Sequence, residues 1–355
     1  MKDGKLGFGI IGSGFIGTWH AAAIARAPRA ALLAACSRTA ERAQKLADRY
    51  PGVAAYADHR QLLEHPGLDV VTICTPSGTH ADLMIDAARA GKHLICEKPL
   101  DITLERIDAA IRVANECNVK LAGIFQRRFQ SNSQRLKQVI DSGRLGCLHT
   151  IDCSMKWYRS QEYYDSGNWR GTWALDGGGC LMNQGIHGID LLQWLGGPVR
   201  AVTALTATVA HERIEVEDQA LALVEFANGA RGVLEGSTSC YPGLPTIHEF
   251  HGTEGSVGLR EDKLSLWRFV GDQPEDEAAL LAEANGTRVD AGTGDPKANL
   301  GAEGESHLSQ IIDMVDAILE NRAPACTGAD ARHSVEIILA IYRSAREGRR
   351  VELPL

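Results

Sequence analysis

The chain has 355 residues, of which 44% are hydrophobic and 23% charged, and its formal net charge is −8. At about 150 residues per domain, this length predicts two domains, each with a full hydrophobic core. The acidic balance disfavours nucleic acid and anionic membranes as partners, because both attract clustered Lys and Arg, and Arg127-Arg128 is too short a basic run to serve.

Cysteine usage and the start of the chain bear on metal content and location. The nine cysteines include no CxxC pair and no zinc-like Cys/His spacing, so we expect no metal site. Cys36, Cys74 and Cys96 each close a short apolar run, which is typical of small buried residues with reduced thiols. The first predicted strand begins at Leu6, which leaves no room for a signal peptide, and no apolar run is long enough to cross a bilayer. These features predict a cytoplasmic protein.

The first third of the chain alternates short apolar runs with helical patterns. Near-continuous apolar strands separated by helices are typical of a parallel sheet covered on both faces, so the pattern predicts a doubly wound Rossmann domain over residues 1–125. The predicted strands are Leu6–Ile11, Ala31–Cys36, Asp69–Cys74, His93–Cys96 and Lys120–Phe125. The predicted helices are Gly17–Ala27, Thr39–Tyr50 with Thr39 as its N-cap, His80–Ala90 and Thr103–Cys117.

After Phe125 the rhythm changes to strands linked by turns. This pattern predicts a C-terminal α+β domain over residues 126–355, with a large, mostly antiparallel sheet and two closing helices that pack back on the first domain. The turn Ala227-Asn228-Gly229 predicts a hairpin, and Asp272–Pro296 is read as a surface excursion. The predicted strands are Cys147–Tyr158, Ala201–Ala210, Gln219–Phe226, Ala230–Ser239, Thr246–His251 and Ser256–Arg260. The predicted helices are Gln134–Ser142, Leu181–Leu195, Ser306–Glu320 and Ala329–Glu347.

A dinucleotide site is predicted at the first strand-to-helix turn. Gly12-Ser13-Gly14-Phe15-Ile16-Gly17 is a GxGxxG motif placed after a strand and before a helix. The first glycine permits the tight turn, the second lets a pyrophosphate approach the backbone, and the third lets the helix pack close to the strand. The phosphates would lie at the positive end of the helix dipole. The alternative is a glycine-rich turn without a ligand.

The residues after the second strand bear on the choice of coenzyme. NAD-binding sites usually place an Asp or Glu there for the ribose hydroxyl, but this chain has Ser37-Arg38. A hydroxyl and a guanidinium can bind the 2′-phosphate of NADP. The sequence therefore predicts NAD(P) as the coenzyme, with NADP slightly favoured over NAD. It predicts Arg38 as the residue that recognises the 2′-phosphate. The alternative is that Arg38 is solvated and NAD binds without it.

Glu97-Lys98-Pro99 follows a strand end, at the edge where doubly wound sheets bind ligands. Because Pro99 restricts the backbone of Lys98, the lysine side chain is given a defined direction. A lysine at this edge is suited to contacting a substrate oxygen and stabilising developing alkoxide charge. An exposed turn lysine is an equally good interpretation of the residue by itself.

A second candidate set follows the glycines at 177–179. If the segment after them is helical, Asn183, His187 and Asp190 share one face. An imidazole flanked by an amide and a carboxylate is suited to removing an alcohol proton as hydride leaves the same carbon. A structural histidine at a domain junction is the alternative. Trp169 and Arg170 either cover a nicotinamide or bind a phosphate, or else are a packed aromatic and a surface cation.

Taken together, these segments resemble the glucose-fructose oxidoreductase/inositol dehydrogenase (Gfo/Idh/MocA) family. The matching pieces cover nearly the whole chain, and their combination is more specific than any one motif. They are GFGIIGSGFIGTWH, TPSGTH, GKHLICEKPL, FQRRF, SGRLG and GGGCLMNQGIHGIDLLQWLGG.

The resemblance implies a function and roles for individual residues. It implies NAD(P)-linked transfer of a hydride between nicotinamide and a secondary hydroxyl or ketone of a sugar, cyclitol or related polyol. It implies a homo-oligomer, a dimer or tetramer, with the open sheet as its contact. Lys98 would lie beside nicotinamide and substrate, and His187 would be the catalytic base. Thr75 and Pro76 would border the coenzyme, with His80 and Glu97 of the same motifs as further coenzyme-binding candidates.

The chain departs from the family pattern at one position. Many members carry an acid four residues before the catalytic histidine, where this chain has Asn183, which cannot take a proton. The proton-transfer role therefore falls on His187, with Lys98 as helper and Asn183 orienting substrate or base. Arg128, Trp169 and Arg170 are the remaining substrate-binding candidates, because the aromatic segment 156–176 suits the C–H faces of a sugar ring.

Two other functions remain open on the sequence alone. Some relatives hold NAD tightly, oxidise the sugar transiently and hydrolyse a glycosidic bond. A non-catalytic dinucleotide-binding sensor is the other alternative, although the presence of both Lys98 and His187 argues against it.

Overall fold

The structure is a computed structural model that describes residues 4–286 and 300–355, the side chains of the second range from residue 304 onward. The chain divides into two compact units. The first comprises Met1–Gln126 and Gly301–Arg332, and the second comprises Arg127–Leu300 and His333–Leu355. Each unit is described separately below.

The first unit contains a six-stranded sheet in which every paired strand is parallel. The strand order β3-β2-β1-β4-β5-β6 is that of a doubly wound dinucleotide-binding fold. The predicted Rossmann fold is therefore confirmed. The strands are β1 (Leu6–Ile11), β2 (Ala30–Cys36), β3 (Ala54–Tyr56), β4 (Leu68–Ile73), β5 (His93–Cys96) and β6 (Leu121–Gly123). The helices are α1 (Phe15–Arg26), α2 (Ala40–Ala47), α3 (His59–Leu63), α4 (His80–Arg89) and α5 (Leu104–Glu116).

The second unit contains an eight-stranded sheet in the order β13-β12-β11-β7-β10-β9-β8-β14. All of its pairs are antiparallel except β7 with β10, so the predicted, mostly antiparallel sheet is confirmed. The strands are β7 (Leu148–Lys156), β8 (Val199–Ala207), β9 (Gln219–Phe226), β10 (Arg231–Ser237), β11 (Ile247–Gly252), β12 (Gly255–Arg260), β13 (Lys263–Phe269) and β14 (Val351–Glu352). The helices are α6 (Ser131–Asp141), α7 (Gln161–Asp165), α8 (Ile186–Gly196) and α9 (Pro274–Asn285).

Two long helices, α10 (Leu300–Leu319) and α11 (Gly328–Glu347), close the chain. In the first unit, Gln310 of α10 donates its side-chain N–H to the carbonyl of Gly123 in β6 at 2.9 Å. The buried residues Ile311, Met314 and Val315 of α10 join the hydrophobic core formed by β1 and α1. The Rossmann core is therefore completed by residues some 200 positions away from the rest of it.

Several local expectations differ from the structure. Thr39 occupies the N-cap of α2, but its side chain makes no capping hydrogen bond. The segment read as a surface excursion contains α9, whose N-terminus carries a capping box formed by Gln273 and Asp276. The rest of that excursion, residues 287–296, lies outside the described residues. The short elements β3, α3 and α7 and the strand β13 carry too little periodicity to be predicted.

The state of the cysteines and the character of the helices were both compared with the sequence-based expectations. All nine cysteines are free thiols, and Cys36, Cys74 and Cys96 are buried as expected. Within residues 4–286 and 300–355, the structure contains no helix with both the length and the apolar character that a bilayer crossing needs.

Candidate active site

The turn between β1 and α1 has the backbone geometry that a pyrophosphate needs. Gly12 has φ +110°, and a Cβ there would lie 2.3 Å from the carbonyl oxygen of Cys74, while one on Gly17 would lie 2.0 Å from that of Gly12. These two glycines are required by internal packing. Gly14 differs, because a Cβ there would meet nothing within 4 Å. Its backbone is therefore open to a ligand at the N-terminus of α1, next to the buried, unpartnered Ser13 Oγ.

A cleft of about 370 Å³ opens beside this turn. It is lined by the glycine turn on one side and on the other by Ser37 after β2 and by three cations of α2 and the residues after it. Arg38 is exposed and does not line the cleft. The complete lining is Ser13, Gly14, Thr18, Ser37, Arg42, Lys45, Leu46 and Arg49.

Sequence analysis missed the three cations that line this cleft, Arg42, Lys45 and Arg49. Their spacing of i, i+3 and i+7 places them on one side of a helix, and that spacing is the signal that could have found them. A dinucleotide with an additional phosphate fits this charge, because guanidinium and ammonium groups are the usual ligands of phosphate.

The predicted coenzyme residues after β4 form one connected loop. Thr79 donates through its N–H and Oγ1 to the carbonyl of Pro76 at 3.0 and 2.7 Å. His80 is buried, and its two ring nitrogens lie 2.7 Å from the Pro99 oxygen and 2.8 Å from the Thr75 oxygen. His80 therefore joins the loop after β4 to the loop after β5. The hydrogen bonds of its ring therefore hold the two loops together.

Glu97, at the end of β5, is held by two histidines in the first unit. Glu97 Oε1 lies 3.0 Å from His20 Nε2 and 3.9 Å from His307 Nε2. Burial lowers the pKa of His20, but Cys74 and Glu97 raise it by more, to about 10. Burial raises the pKa of Glu97, whereas His20, His307 and Lys98 lower it by more, to about 2. The favoured state is a buried His20 imidazolium paired with a Glu97 carboxylate.

The same three side chains are close enough to hold a metal ion, since one ligand atom from each lies within 4.8 Å of the others. The pairing of His20 with Glu97 already satisfies the carboxylate without an ion. Lys98 follows directly and is half-buried, and its backbone N–H donates to Glu97 Oε2 at 3.2 Å. Glu97 therefore fixes the backbone from which the Lys98 amine extends.

In the second unit, a buried carboxylate organises the glycine-led segment. Glu217 accepts hydrogen bonds from the N–H of Gly179 at 2.9 Å, the N–H of Leu181 at 3.0 Å and the hydroxyl of Tyr342 at 2.8 Å. A Cβ on Gly179 would lie 1.8 Å from the backbone carbonyl oxygen of Glu217, and one on Gly178 would lie 2.2 Å from Tyr342 Oη. The glycines at 178 and 179 are therefore required by protein packing, not by a ligand.

The segment after these glycines is only partly the helix that the sequence predicts. Cys180–Gly185 is a π-helical turn, and α8 begins at Ile186. Asn183 lies in the π turn, and its amide donates to Asp176 Oδ1 at 2.7 Å. His187 is half-buried in the first turn of α8. π turns are rare and occur frequently at functional sites.

Asp190 and Arg128 form a buried pair behind this segment. Arg128 donates to Asp190 through Nε at 2.7 Å and through Nη2 at 2.6 Å, and Ser334 Oγ adds a third bond at 3.2 Å. Both members are almost fully buried. Arg128, predicted as a substrate-binding candidate, is therefore placed where it anchors α8.

Trp169 and Arg170 lie in a cluster of aromatic rings and guanidinium groups. The Arg170 guanidinium carbon lies 4.6 Å from the Tyr163 ring centroid and 5.2 Å from that of Trp169. Tyr163 in turn accepts a hydrogen bond from Gln184 Nε2 at 2.9 Å. Because Gln184 follows Asn183 in the π turn, this cluster is connected to the candidate catalytic segment within the second unit.

Comparisons with known proteins cover almost the whole chain. The "Oxidoreductase family, NAD-binding Rossmann fold" matches residues 6–125, and the "GFO/IDH/MocA C-terminal domain" matches residues 133–258. The myo-inositol 2-dehydrogenase of Thermotoga maritima is 27% identical over 97% of this chain and 98% of its own length. The levoglucosan dehydrogenase of Pseudarthrobacter phenanthrenivorans is 29% identical over 99% of this chain and 98% of its own.

A solved structure adds a second line of comparison. The WlbA dehydrogenase from Bordetella pertussis, in complex with NADH and UDP-GlcNAcA, superimposes with a TM-score of 0.86. It is 31% identical to this chain, and the match covers 99% of both chains.

Proposed function

Because the chain belongs to the GFO/IDH/MocA family of NAD(P)-dependent oxidoreductases, we propose that it interconverts a secondary hydroxyl and a ketone on a sugar, cyclitol or related polyol. The observation that carries this proposal is the open backbone at Gly14 beside two glycines that internal packing requires. The dehydrogenases of myo-inositol and levoglucosan, which match over 98% of their length, support the substrate class.

The bound nicotinamide supplies the hydride acceptor or donor. The residues of this chain hold the coenzyme and manage the proton. Gly12, Gly14 and Gly17, with Phe15 and Ile16 of the same turn, would hold the pyrophosphate at the N-terminus of α1. Thr75 and Pro76 would border the nicotinamide half. His80 joins their loop to Pro99, and Glu97 accepts the backbone N–H of Lys98.

The proton passes through His187. Lys98 donates a hydrogen bond to the reacting oxygen and stabilises negative charge on it. His187 takes the proton of the hydroxyl during oxidation and returns it during reduction. Asn183, held by Asp176, orients the substrate. Asp176 accepts a hydrogen bond from Nδ2 of this amide, so the Asn183 side-chain oxygen points away from that carboxylate.

The coenzyme that we propose is NADP. The support comes from the cleft beside the glycine turn, where Ser37, Arg42, Lys45 and Arg49 supply one hydroxyl and three cations. We therefore assign the 2′-phosphate to Arg42 with Ser37, in place of the exposed Arg38. Arg42→Ala should lower kcat/KM for NADP by about ten- to hundredfold, the scale of one or two charge-assisted hydrogen bonds. Efficiency with NAD should stay within about threefold, and Arg38→Ala is the matched control.

The function is tested with a panel of aldoses, inositols, other polyols and alkyl glycosides, with NAD and NADP each followed at the absorbance of the reduced coenzyme. Stoichiometric appearance of reduced coenzyme and ketone supports the proposal. Cleavage of a glycoside without net reduction of coenzyme would replace it with the hydrolase reading. Tight coenzyme binding with no turnover across the panel would replace it with a sensor.

We also propose that the chain self-associates through the open face of its second sheet. Leu205, Leu221, Leu223 and Val233 are 71%, 42%, 61% and 45% exposed, and the register pairs Leu205 with Leu221 and Leu223 with Val233. Such a contiguous apolar patch is typical of an interface. Leu223→Lys should reduce the mass measured by light scattering to that of a smaller species. Val270→Lys, at a residue that is 75% exposed elsewhere, should not.

A further inference from the structure

Arg170 has a geometry unlike that of an ordinary surface arginine. Its guanidinium packs against the rings of Tyr163 and Trp169, and Nη1 donates to Ser166 Oγ at 2.7 Å. Its Nε is buried and has no hydrogen-bond partner. Among residues 4–286 and 300–355, no carboxylate forms an ion pair with Arg170. The cation is therefore oriented by aromatic faces, with a buried donor that the described protein does not use.

The surroundings of Arg170 carry further positive charge. The Arg159 guanidinium carbon lies 5.4 Å from the Tyr163 centroid and 5.5 Å from the Trp157 centroid. Arg127 lies 5.7 Å from the Trp157 centroid, and its charge is balanced by Glu261 at 3.2 Å. The Tyr163 ring therefore lies close to the guanidinium groups of both Arg159 and Arg170. Local positive charge on rigid aromatic supports favours an anion.

Two neutral groups complete the cluster. Gln184 Nε2 donates to Tyr163 Oη, so the phenol proton can be donated to another acceptor. Gln184 is 7% exposed, and its Oε1 has no hydrogen-bond partner. Asp176 is the acid whose charge acts on Tyr163, and it accepts hydrogen bonds from Asn183 and from the Gly171 N–H. The charge of that carboxylate is therefore directed to the catalytic segment.

We propose that Arg170, with the Tyr163 hydroxyl, binds an oxyanion of the substrate, so that the preferred substrate is an acidic sugar and not a neutral polyol. This inference rests on the proposed function for its link to turnover. A guanidinium presents a planar fork of N–H donors that pairs with two oxygens of a carboxylate or phosphate. Because Nε is buried, the contact falls to the terminal Nη donors of this half-buried side chain. The chain connection from Tyr163 through Gln184 to Asn183 places this oxyanion site next to the residue that orients the reacting carbon.

The test compares acidic with neutral sugars, and D-glucuronate and D-glucose 6-phosphate differ from D-glucose only in the charged group. D-glucuronate, D-glucose 6-phosphate and UDP-glucuronate are assayed against D-glucose and myo-inositol with wild type, Arg170→Gln and Arg170→Lys. We expect kcat/KM to be higher for at least one acid than for D-glucose. Arg170→Gln should lower that value by about ten- to hundredfold through KM, while D-glucose changes by less than threefold. Arg170→Lys should retain part of the preference, because it keeps the charge and loses the fork.

The acids identify the source of the oxyanion. Preference for glucuronate assigns a sugar carboxylate, and preference for glucose 6-phosphate assigns a phosphate. Arg213→Gln is the matched control, since Arg213 is exposed and paired with Asp165 at 2.8 Å. Equal efficiency for acids and neutral sugars in the wild type, or an equal loss on both in Arg170→Gln, would overturn the inference.

Binding separates this inference from the proposed function. Calorimetric titration of D-glucuronate and D-glucose into the protein with reduced coenzyme bound, which cannot accept a hydride, measures the site without turnover. Arg170-dependent binding of the acid without any oxidation would leave the oxyanion site standing while the dehydrogenase proposal failed. Oxidation of neutral polyols with no Arg170-dependent binding of acids would do the reverse. Thermal unfolding of each variant excludes global misfolding.

Discussion

The two candidate regions of this molecule are built in different ways. The glycine turn of the first unit is short, and its key contacts link Gly12 to Gly17 and Gly12 to Cys74 at the end of a neighbouring strand. The segment that carries Asn183 and His187 in the second unit depends on residues far away in the sequence. Glu217 and His248 hold its backbone, Tyr342 donates to the Glu217 carboxylate, and Asp176 holds the Asn183 amide.

This difference explains what a motif can and cannot encode. Six residues of a glycine motif specify a turn, because the steric requirement lies inside the motif itself. The π turn at Cys180–Gly185 has no such local code. Its two leading N–H groups are satisfied by Glu217, a buried carboxylate whose pKa is raised by burial although these N–H groups and Tyr342 lower it. The second region is therefore expected to be the more easily disrupted by distant substitutions.

The largest effect is expected at His187. His187→Ala should lower turnover by about 10²–10⁴-fold, the usual scale for removal of a general base, because the proposed acceptor of the hydroxyl proton is lost. Coenzyme affinity, which the first unit provides, should change by less than about twofold. Steady-state kinetics with the best substrate of the panel, together with fluorescence titration of reduced coenzyme, measures both.

His149→Ala provides the control, since His149 is an exposed histidine of the same unit. Its turnover should match that of wild type. If His187→Ala retains turnover within a factor of two, the histidine has no part in proton transfer. The segment that carries Asn183 and His187 could then not be assigned the chemical step, as distinct from coenzyme binding at the glycine turn.

Most of the fold follows from sequence periodicity. The buried strands Leu6–Ile11, His93–Cys96 and Gln219–Phe226 coincide with their predicted limits, because each is a pure apolar or alternating run between clear turn signals. The elements β3, α3 and α7, each of five residues or fewer, were missed because they offer less than two turns or three alternations. The equally short β5 was found because it ends in a continuous apolar run. Helix α9 was missed because its twelve residues include no buried position, so no apolar face marks it.

The residues of the candidate site also differ in whether a local sequence pattern indicates them. The glycine turn, Lys98 and His187 are visible in the sequence as motifs. The roles of Arg128 and Asp190 are not, because a buried ion pair between positions 62 residues apart has no local signal. Arg42, Lys45 and Arg49, which line the cleft, have a helical spacing that the sequence already shows, whereas the sequence-based prediction named Arg38, next to the strand end.

A second prediction concerns the distant support of the second region. His248 in β11 is fully buried, and its Nε2 lies 2.9 Å from the Gly188 oxygen of α8, next to His187. Nδ1 has no hydrogen-bond partner, which assigns the proton of a neutral ring to Nε2. Burial lowers the pKa of His248 to about 4.

The sign of the pH dependence follows from this depressed pKa. The unfolded chain, with a histidine pKa near 6.5, binds the proton first, so stability is full above about pH 6.5 and falls as the pH approaches 4. Over that window the wild type should lose about 3 kcal/mol more than His248→Gln, measured by urea unfolding at each pH. His149→Gln should reproduce the wild-type profile. A parallel loss in His248→Gln and wild type would show that His248 does not carry the acid sensitivity.

The smallest effect tests the local region and separates its three glycines. Gly14→Ala adds a Cβ where no protein atom lies within 4 Å, at a φ of −72° that alanine adopts freely. The free energy of unfolding should fall by no more than about 1 kcal/mol, the cost of a poorer N-cap. Coenzyme affinity should nevertheless weaken by about tenfold, because the Cβ occupies the approach of the pyrophosphate.

Gly17→Ala should instead unfold the turn, since its Cβ would lie 2.0 Å from the Gly12 oxygen. Gly304→Ala, at a helical glycine in open space, should change neither property. Calorimetric titration with each coenzyme and thermal unfolding measure the two effects separately. If Gly14→Ala binds coenzyme as tightly as wild type, the phosphates do not approach this backbone, and the local motif specifies only a turn.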